Sequence, residues 1–146
     1  MDFAIVIGAN HHNTLGVVRS LGEMNVIVHL ILVGNSGSFV LKSKYISCSR
    51  IVKSKDEVLG CLIENYPPSS DKIVLFPCND KVAEVIDVNY SLLSQRFILP
   101  NINNSPNQIS IAMNKDFMQE VAVEAGLITP KYCVLHQNNK LPDDIA

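Results

Sequence analysis

A chain of 146 residues, 47% hydrophobic and 18% charged, is long enough for one ordinary domain and too apolar to be a disordered tail. Twelve Lys and Arg against 14 Asp and Glu leave a net charge of −2. The basic residues are scattered singly, which excludes a nucleic-acid footprint or a polybasic membrane patch and favours small molecules or proteins as partners.

In chain order, "FAIVI", Phe3 to Ile7, is a first strand that follows the acidic Asp2 directly, without the basic region of a signal peptide. The chain is expected to turn through Gly8 into a helix whose Leu15, Val18 and Leu21 form one apolar face. Asn25 suits a left-handed exit. "VIVHLILV" is apolar at nearly every position, as a parallel strand covered on both faces should be, and is too short to cross a bilayer. His29 within it fits a satisfied core histidine.

The pattern weakens from Gly34 to Lys55, where "SKYISCSRIV" holds one short strand ending near Val52. Asp56 is placed to cap a helix bearing Val58, Leu59, Leu62, Ile63 and Tyr66, and "PPSS" stops it. "KIVLFP" is the next strand, Asn79 or Asp80 caps a helix with Val82, Val85 and Ile86, and "RFILP" is one more short strand. This alternation predicts an α/β domain built on an open parallel sheet with helices on both faces.

After Pro100 the chain turns polar. Ser105 as cap and Pro106 at the first helical position predict a helix to about Met113. Asn114 then caps a second helix with Phe117, Met118, Val121, Ala122 and Ala125 on one face, ended by Gly126 with Pro130 beyond. "KYCVLH" has the pattern of a strand of a following domain, and "KLPDDIA" opens a further helix, so the chain is expected to be a piece cut at a domain boundary. The division expected is 1–104 and 105–146. Cys48, Cys61, Cys78 and Cys133 lie in apolar or strand-like surroundings without zinc or redox spacing, the pattern of reduced thiols in a cytoplasmic protein.

Two polar clusters sit where ligands collect, at the carboxyl ends of parallel strands. Asn10, His11, His12 and Asn13 follow the first strand, and with the N–H groups of the next helix they can bind a carboxylate or phosphate. The alternative is that Asn13 only caps the helix while both histidines are solvated. A metal is disfavoured there, because adjacent side chains point apart and no third ligand is evident. Asn79 and Asp80 form the second cluster, with capping as the plain alternative. The dinucleotide fingerprint is not met: Asn10 stands at its second glycine, and "LVGNS" supplies no acid for a ribose. A phosphate-binding P-loop fails too, since no "GKS" or "GKT" follows Gly8.

The segment "MNKDFMQEVAVEAGLITPKYCVL", Met113 to Leu135, resembles the opening of the ATP-grasp fold: an Asn-Lys pair starting a helix, a small-Gly-apolar-x-Pro turn, then a strand. "VIGA" with the "LGVVRSLG" helix, "SKYIS", and a strand ending in Pro77 with Asp80 shortly after resemble the Rossmann-like pre-ATP-grasp domain that precedes it, as in carbamoyl-phosphate-synthase-like and D-alanine-D-alanine-ligase-like enzymes. The resemblance covers essentially the whole chain. It implies the N-terminal substrate-binding domain of an ADP-forming carboxylate-amine ligase, using ATP and Mg2+ in the full-length protein, with neither held tightly by this piece. Lys115 matches the lysine that reaches nucleotide phosphates, and Asn10 to Asn13 with Asn79 and Asp80 match the region that holds a carboxylate or amine substrate. A homodimer is compatible with this reading. The magnesium carboxylates, second phosphate lysine and glycine-rich lid of the family are not in this sequence, so the piece alone is expected to be inactive. A stand-alone ligand- or nucleotide-binding module is the alternative, and a protein-interaction domain a third.

Overall fold

A computed structural model describes residues 3–130. Cys133, the "KYCVLH" strand and the helix start at "KLPDDIA" lie outside the described residues. Two compact units divide the chain, the first running to Ile111 and the second opening at Ala112.

The first unit is built from β1 (Phe3–Ala9), α1 (His12–Glu23), β2 (Ile27–Val33), β3 (Ile46–Val52), α2 (Asp56–Asn65), β4 (Ile73–Pro77), α3 (Asp80–Val88), α4 (Tyr90–Leu93), β5 (Phe97–Ile98) and α5 (Gln108–Ala112). A one-turn 3-10 helix, Phe39–Lys42, lies between β2 and β3. The five strands form one sheet in the order β3-β2-β1-β4-β5, and every pairing is parallel. This is a Rossmann-like α/β architecture. The chain moves outward from β1 to β3, then returns through α2 to place β4 on the other side of β1. Between β1 and β4 the strand order reverses, and there the loops leaving the two strands diverge and open a crevice.

Strands this central have no solvent face, which is why their sequences lack polar alternation. Ile5 and Ile7 of β1, Ile31 of β2 and Leu75 of β4 pack on one side against Val58 and Leu62 of α2, Val82 and Ile86 of α3, and Phe97. Val6, Val28, Leu30 and Leu32 pack on the other side against Val18 of α1 and Val40 of the 3-10 turn. Asn25 takes φ 62° after α1. The Val26 N–H then donates to Leu21 O at 3.0 Å and the Asn25 N–H to Gly22 O at 3.1 Å, the two bonds of a Schellman end.

Three local expectations are corrected by the geometry. Gly8 lies inside β1, and the turn is made by Ala9 to His11. A Cβ on Gly8 would collide with Thr14 Oγ1 and lie 2.9 Å from Cys78 Cβ, so this glycine serves close packing rather than turning. At α2, Asp56 is the first helical residue; Ser54 Oγ accepts from its N–H at 3.3 Å, and Glu57 reaches back to accept from the Lys53 N–H at 2.9 Å. Near α5, Asn103, Asn104 and Asn107 adopt φ of 55°, 53° and 64°, so the chain keeps turning past Pro106 and the helix starts only at Gln108. Buried Asp87 of α3 holds that start, its Oδ2 accepting from the Ser110 N–H at 2.7 Å. The 3-10 turn and α4 are additions the periodicity did not announce, each being too short to carry a period.

In the second unit, α6 (Lys115–Glu124) starts at Asn114, whose side chain accepts from the N–H groups of Asp116 and Phe117. It ends as expected with Gly126 at φ 74°. No helix among the described residues is long and apolar enough to cross a membrane.

Two measurements check this packing. Gly8→Ala should lower unfolding free energy by about 1–3 kcal/mol, as overpacking does. Gly16→Ala, at an exposed helical site with nothing within 4 Å, should raise it by roughly 0.5–1 kcal/mol in the same denaturant titration. The second concerns His29, whose burial, and then nearby Arg50, lower its pKa from 6.5. The unfolded chain takes up a proton there more readily than the folded one. Stability should therefore fall as pH drops below 6.5 towards the lowered folded value, and His29→Gln should flatten that part of the denaturation profile.

Candidate functional site

The crevice at the carboxyl edge has a volume of about 930 Å³ and is walled by three strand-to-helix turns. Ala9, His11 and Asn13 come from the β1–α1 turn, Ser54 and Lys55 from the β3–α2 turn, and Cys78 to Val82 from the β4–α3 turn. In an all-parallel sheet every strand delivers its chain to the same edge, so three helix N-termini begin around this one space. First-turn N–H groups lack intrahelical partners and carry the positive end of the helix dipole, an environment that favours negative charge.

His11 is the N-cap of α1: its backbone is extended, and its Nδ1 accepts from the Asn13 N–H at 3.2 Å. The alternative in which Asn13 caps the helix does not hold: Asn13 lies in the first turn and lines the crevice. With Nδ1 accepting, the proton of a neutral His11 sits on Nε2, so the ring can donate to a ligand oxygen. The His12 ring lies against that of His11, with centroids 3.8 Å apart and planes at 35°. The two side chains therefore meet instead of pointing apart, and His12 does not line the crevice. Among the described residues no group of three His, Cys, Asp or Glu side chains could hold a metal.

Asn10 has a different task. Its Oδ1 accepts from Ser38 Oγ at 2.7 Å and from the Phe39 N–H at 3.1 Å, latching the loop after β1 to the loop after β2. Its acceptor is thus committed to protein, and Asn10 is not part of the crevice wall. Across the crevice Asn79 caps α3, Oδ1 accepting from the Val82 N–H at 2.9 Å, while Asp80 opens the helix and is exposed. Lys115 begins α6 in the second unit, at an exposed first-turn position behind the Asn114 cap.

Lys55 and Lys81 are wall residues that sequence reading missed. The signal was available for Lys55: a third strand ending near Val52 and feeding a helix must deliver its turn to the same edge. Lys55 Nζ also pairs with Glu84 Oε2 at 2.8 Å, bridging α2 and α3 at the surface. That contact raises the Lys55 pKa through the hydrogen bond and then the charge of Glu84. Solvent screens an exposed pair of this kind, so it adds little to stability. Burial pushes the Cys78 thiol up to about 11, which disfavours the thiolate at neutral pH. Cys48 and Cys61, like Cys78, are free.

The wall can therefore present donors to an anion, from His11, Asn13, Lys81 and the helix starts, and one carboxylate, Asp80, to an ammonium. Asn79→Ala should cost about 1 kcal/mol of stability by uncovering the Val82 N–H, with Asn79→Asp keeping most of it; thermal denaturation of the three proteins checks this.

No protein-family model matches the chain, and a search among curated proteins finds no significant match.

Proposed function

We propose that this chain is the N-terminal substrate-binding domain of an ATP-dependent, ADP-forming carboxylate-amine ligase of the ATP-grasp type. The observation that carries the reading is the convergence of three strand-to-helix turns on one crevice that has both cationic donors and a carboxylate. Such a wall suits a small molecule carrying a carboxylate, an amine, or both. Helix N–H groups, the His11 Nε2–H and the Lys81 ammonium would take the carboxylate, and Asp80 an ammonium.

In this reading ATP passes its γ-phosphoryl group to the carboxylate and leaves as ADP. The amine nitrogen then attacks the acyl carbon and phosphate departs. The part of the crevice is to hold one substrate in a fixed orientation, which lowers the entropic share of the barrier. Magnesium falls to the nucleotide domain of the family. Lys115 would neutralise phosphate oxygens as a compact point charge at a helix start.

Titration of the isotope-labelled chain with succinate and with inorganic phosphate tests the crevice. The amide signals of His11, Asn13, Asn79 and Lys81 should shift together, and Lys81→Ala should weaken binding about tenfold. Saturation elsewhere, or no shift up to about 50 mM, defeats the reading. The ligase part is tested by Lys115→Ala in a protein that includes the nucleotide domain. Losing a charged contact of roughly 1.5–3 kcal/mol predicts about tenfold to hundredfold weaker ATP binding, with Lys115→Arg retaining part of it. Equal ATP affinity in the folded variant would leave a ligand-binding module without this chemistry.

A further inference from the structure

A second hollow, of about 520 Å³, lies at the opposite end of the sheet, where β1 and β4 begin with Phe3 and Ile73. One wall is aromatic. The Phe3 and His29 rings stack at 4.2 Å between centroids with planes 28° apart, and the Tyr66 ring lies 6.1 Å from Phe3 and 5.9 Å from His29. Arg50, on the neighbouring strand β3, lines the same hollow. The only ion pair among the described residues is Lys55–Glu84, so no carboxylate among them pairs directly with Arg50, although Glu57 and Glu64 line a neighbouring hollow with it.

Two features of this wall are costly for packing alone. His29 is the one polar side chain in the seven residues of β2, at a position where an aliphatic residue would extend the core. Its contact with the Tyr66 hydroxyl is long, 3.4 Å from Nδ1, and that hydroxyl also interacts with Arg50, so the spare hydrogen-bonding capacity at the hollow is that of the His29 ring. Polar groups that break a local packing rule without a strong internal partner mark places where function outweighs stability. Burial lowers the His29 pKa and raises that of Tyr66, and Arg50 acts on both, which puts the guanidinium beside the two rings. Lys72 at the rim is already engaged with Ser94 O at 2.6 Å, and Asp71 beside it opposes a polyanion.

We infer that this hollow is a second binding site, for a small planar aromatic acid whose ring lies against the Phe3, His29 and Tyr66 wall and whose single carboxylate meets Arg50. The volume suits a ligand of one or two rings. The ring gains from stacking and from the apolar floor, and the carboxylate from a planar fork that matches its two oxygens. The site is independent of the crevice at the carboxyl edge.

Anthranilate is a suitable probe, followed by amide and aromatic signals of the isotope-labelled chain so that each hollow is observed separately. Saturable shifts at Phe3, His29, Arg50 and Tyr66 are expected. Cyclohexanecarboxylate, which lacks the π-face, and aniline, which lacks the charge, should each bind there about tenfold more weakly. Arg50→Ala, at an exposed position, should remain folded and weaken anthranilate about tenfold or more. Tyr66→Phe should keep the ring contact and lose less. The inference fails if the signals at this hollow do not move up to about 10 mM anthranilate, if the saturated analogue binds as well, or if folded Arg50→Ala binds as tightly as the parent.

Discussion

The approach of α1 to β1 across Gly8 is the contact on which the carboxyl edge depends. Where a side chain would stand, the Thr14 side chain and Cys78 Cβ close in, so β1, the first turn of α1 and the turn after β4 are packed around one missing methyl group. Thr14 is fully buried there, its hydroxyl without a hydrogen-bond partner, an expense that only tight packing offsets. Because the helix is seated at this depth, His11 and Asn13 on one side and Asn79 on the other face the same space. A bulkier residue at position 8 would push those two sides apart.

Most of the fold was legible because a doubly covered parallel sheet writes itself as unbroken apolar runs, and β1, β2 and β4 are such runs. β3 is weaker in sequence for a physical reason: it is an outer strand, with Ser47, Ser49 and Arg50 exposed, so only part of its length answers to the core. Caps were legible as residue types but not always as positions. Ser, Asp and Asn recur near helix starts, and which one bonds depends on backbone angles that no period encodes. Thus the Asn13 N–H is met by His11 and the Asp56 N–H by Ser54. The run of left-handed asparagines around Pro106 is likewise invisible to a rule that places proline at the first helical turn.

The candidate site was legible as an edge and not as a list. Four of the expected residues, His11, Asn13, Asn79 and Asp80, share one wall, which follows from parallel topology alone. Asn10 was drawn into a contact with Ser38 and Phe39 that spans 28 and 29 residues of chain, a pairing beyond any local pattern. Lys55 and Lys81 were overlooked because a lysine beside a helix start is ordinarily unremarked surface. The two ends of the sheet also differ in chemistry. Helix starts make the carboxyl edge hydrogen-bond rich, while the amino end gathers rings and a guanidinium.

The lopsided sheet has a consequence for the protein outside its native state. On one side it finishes in β5, only two residues long, which offers an incoming strand almost nothing to pair with. On the other side the seven-residue β3 has no further strand beside it among the described residues, and no proline interrupts its outer rim. Polar and charged side chains along that rim, Ser47, Ser49 and above all Arg50, discourage self-templated strand addition. The same arginine thus acts as a gatekeeper against aggregation, and replacing it with a β-branched apolar residue would make the rim the natural seed for edge-to-edge assembly.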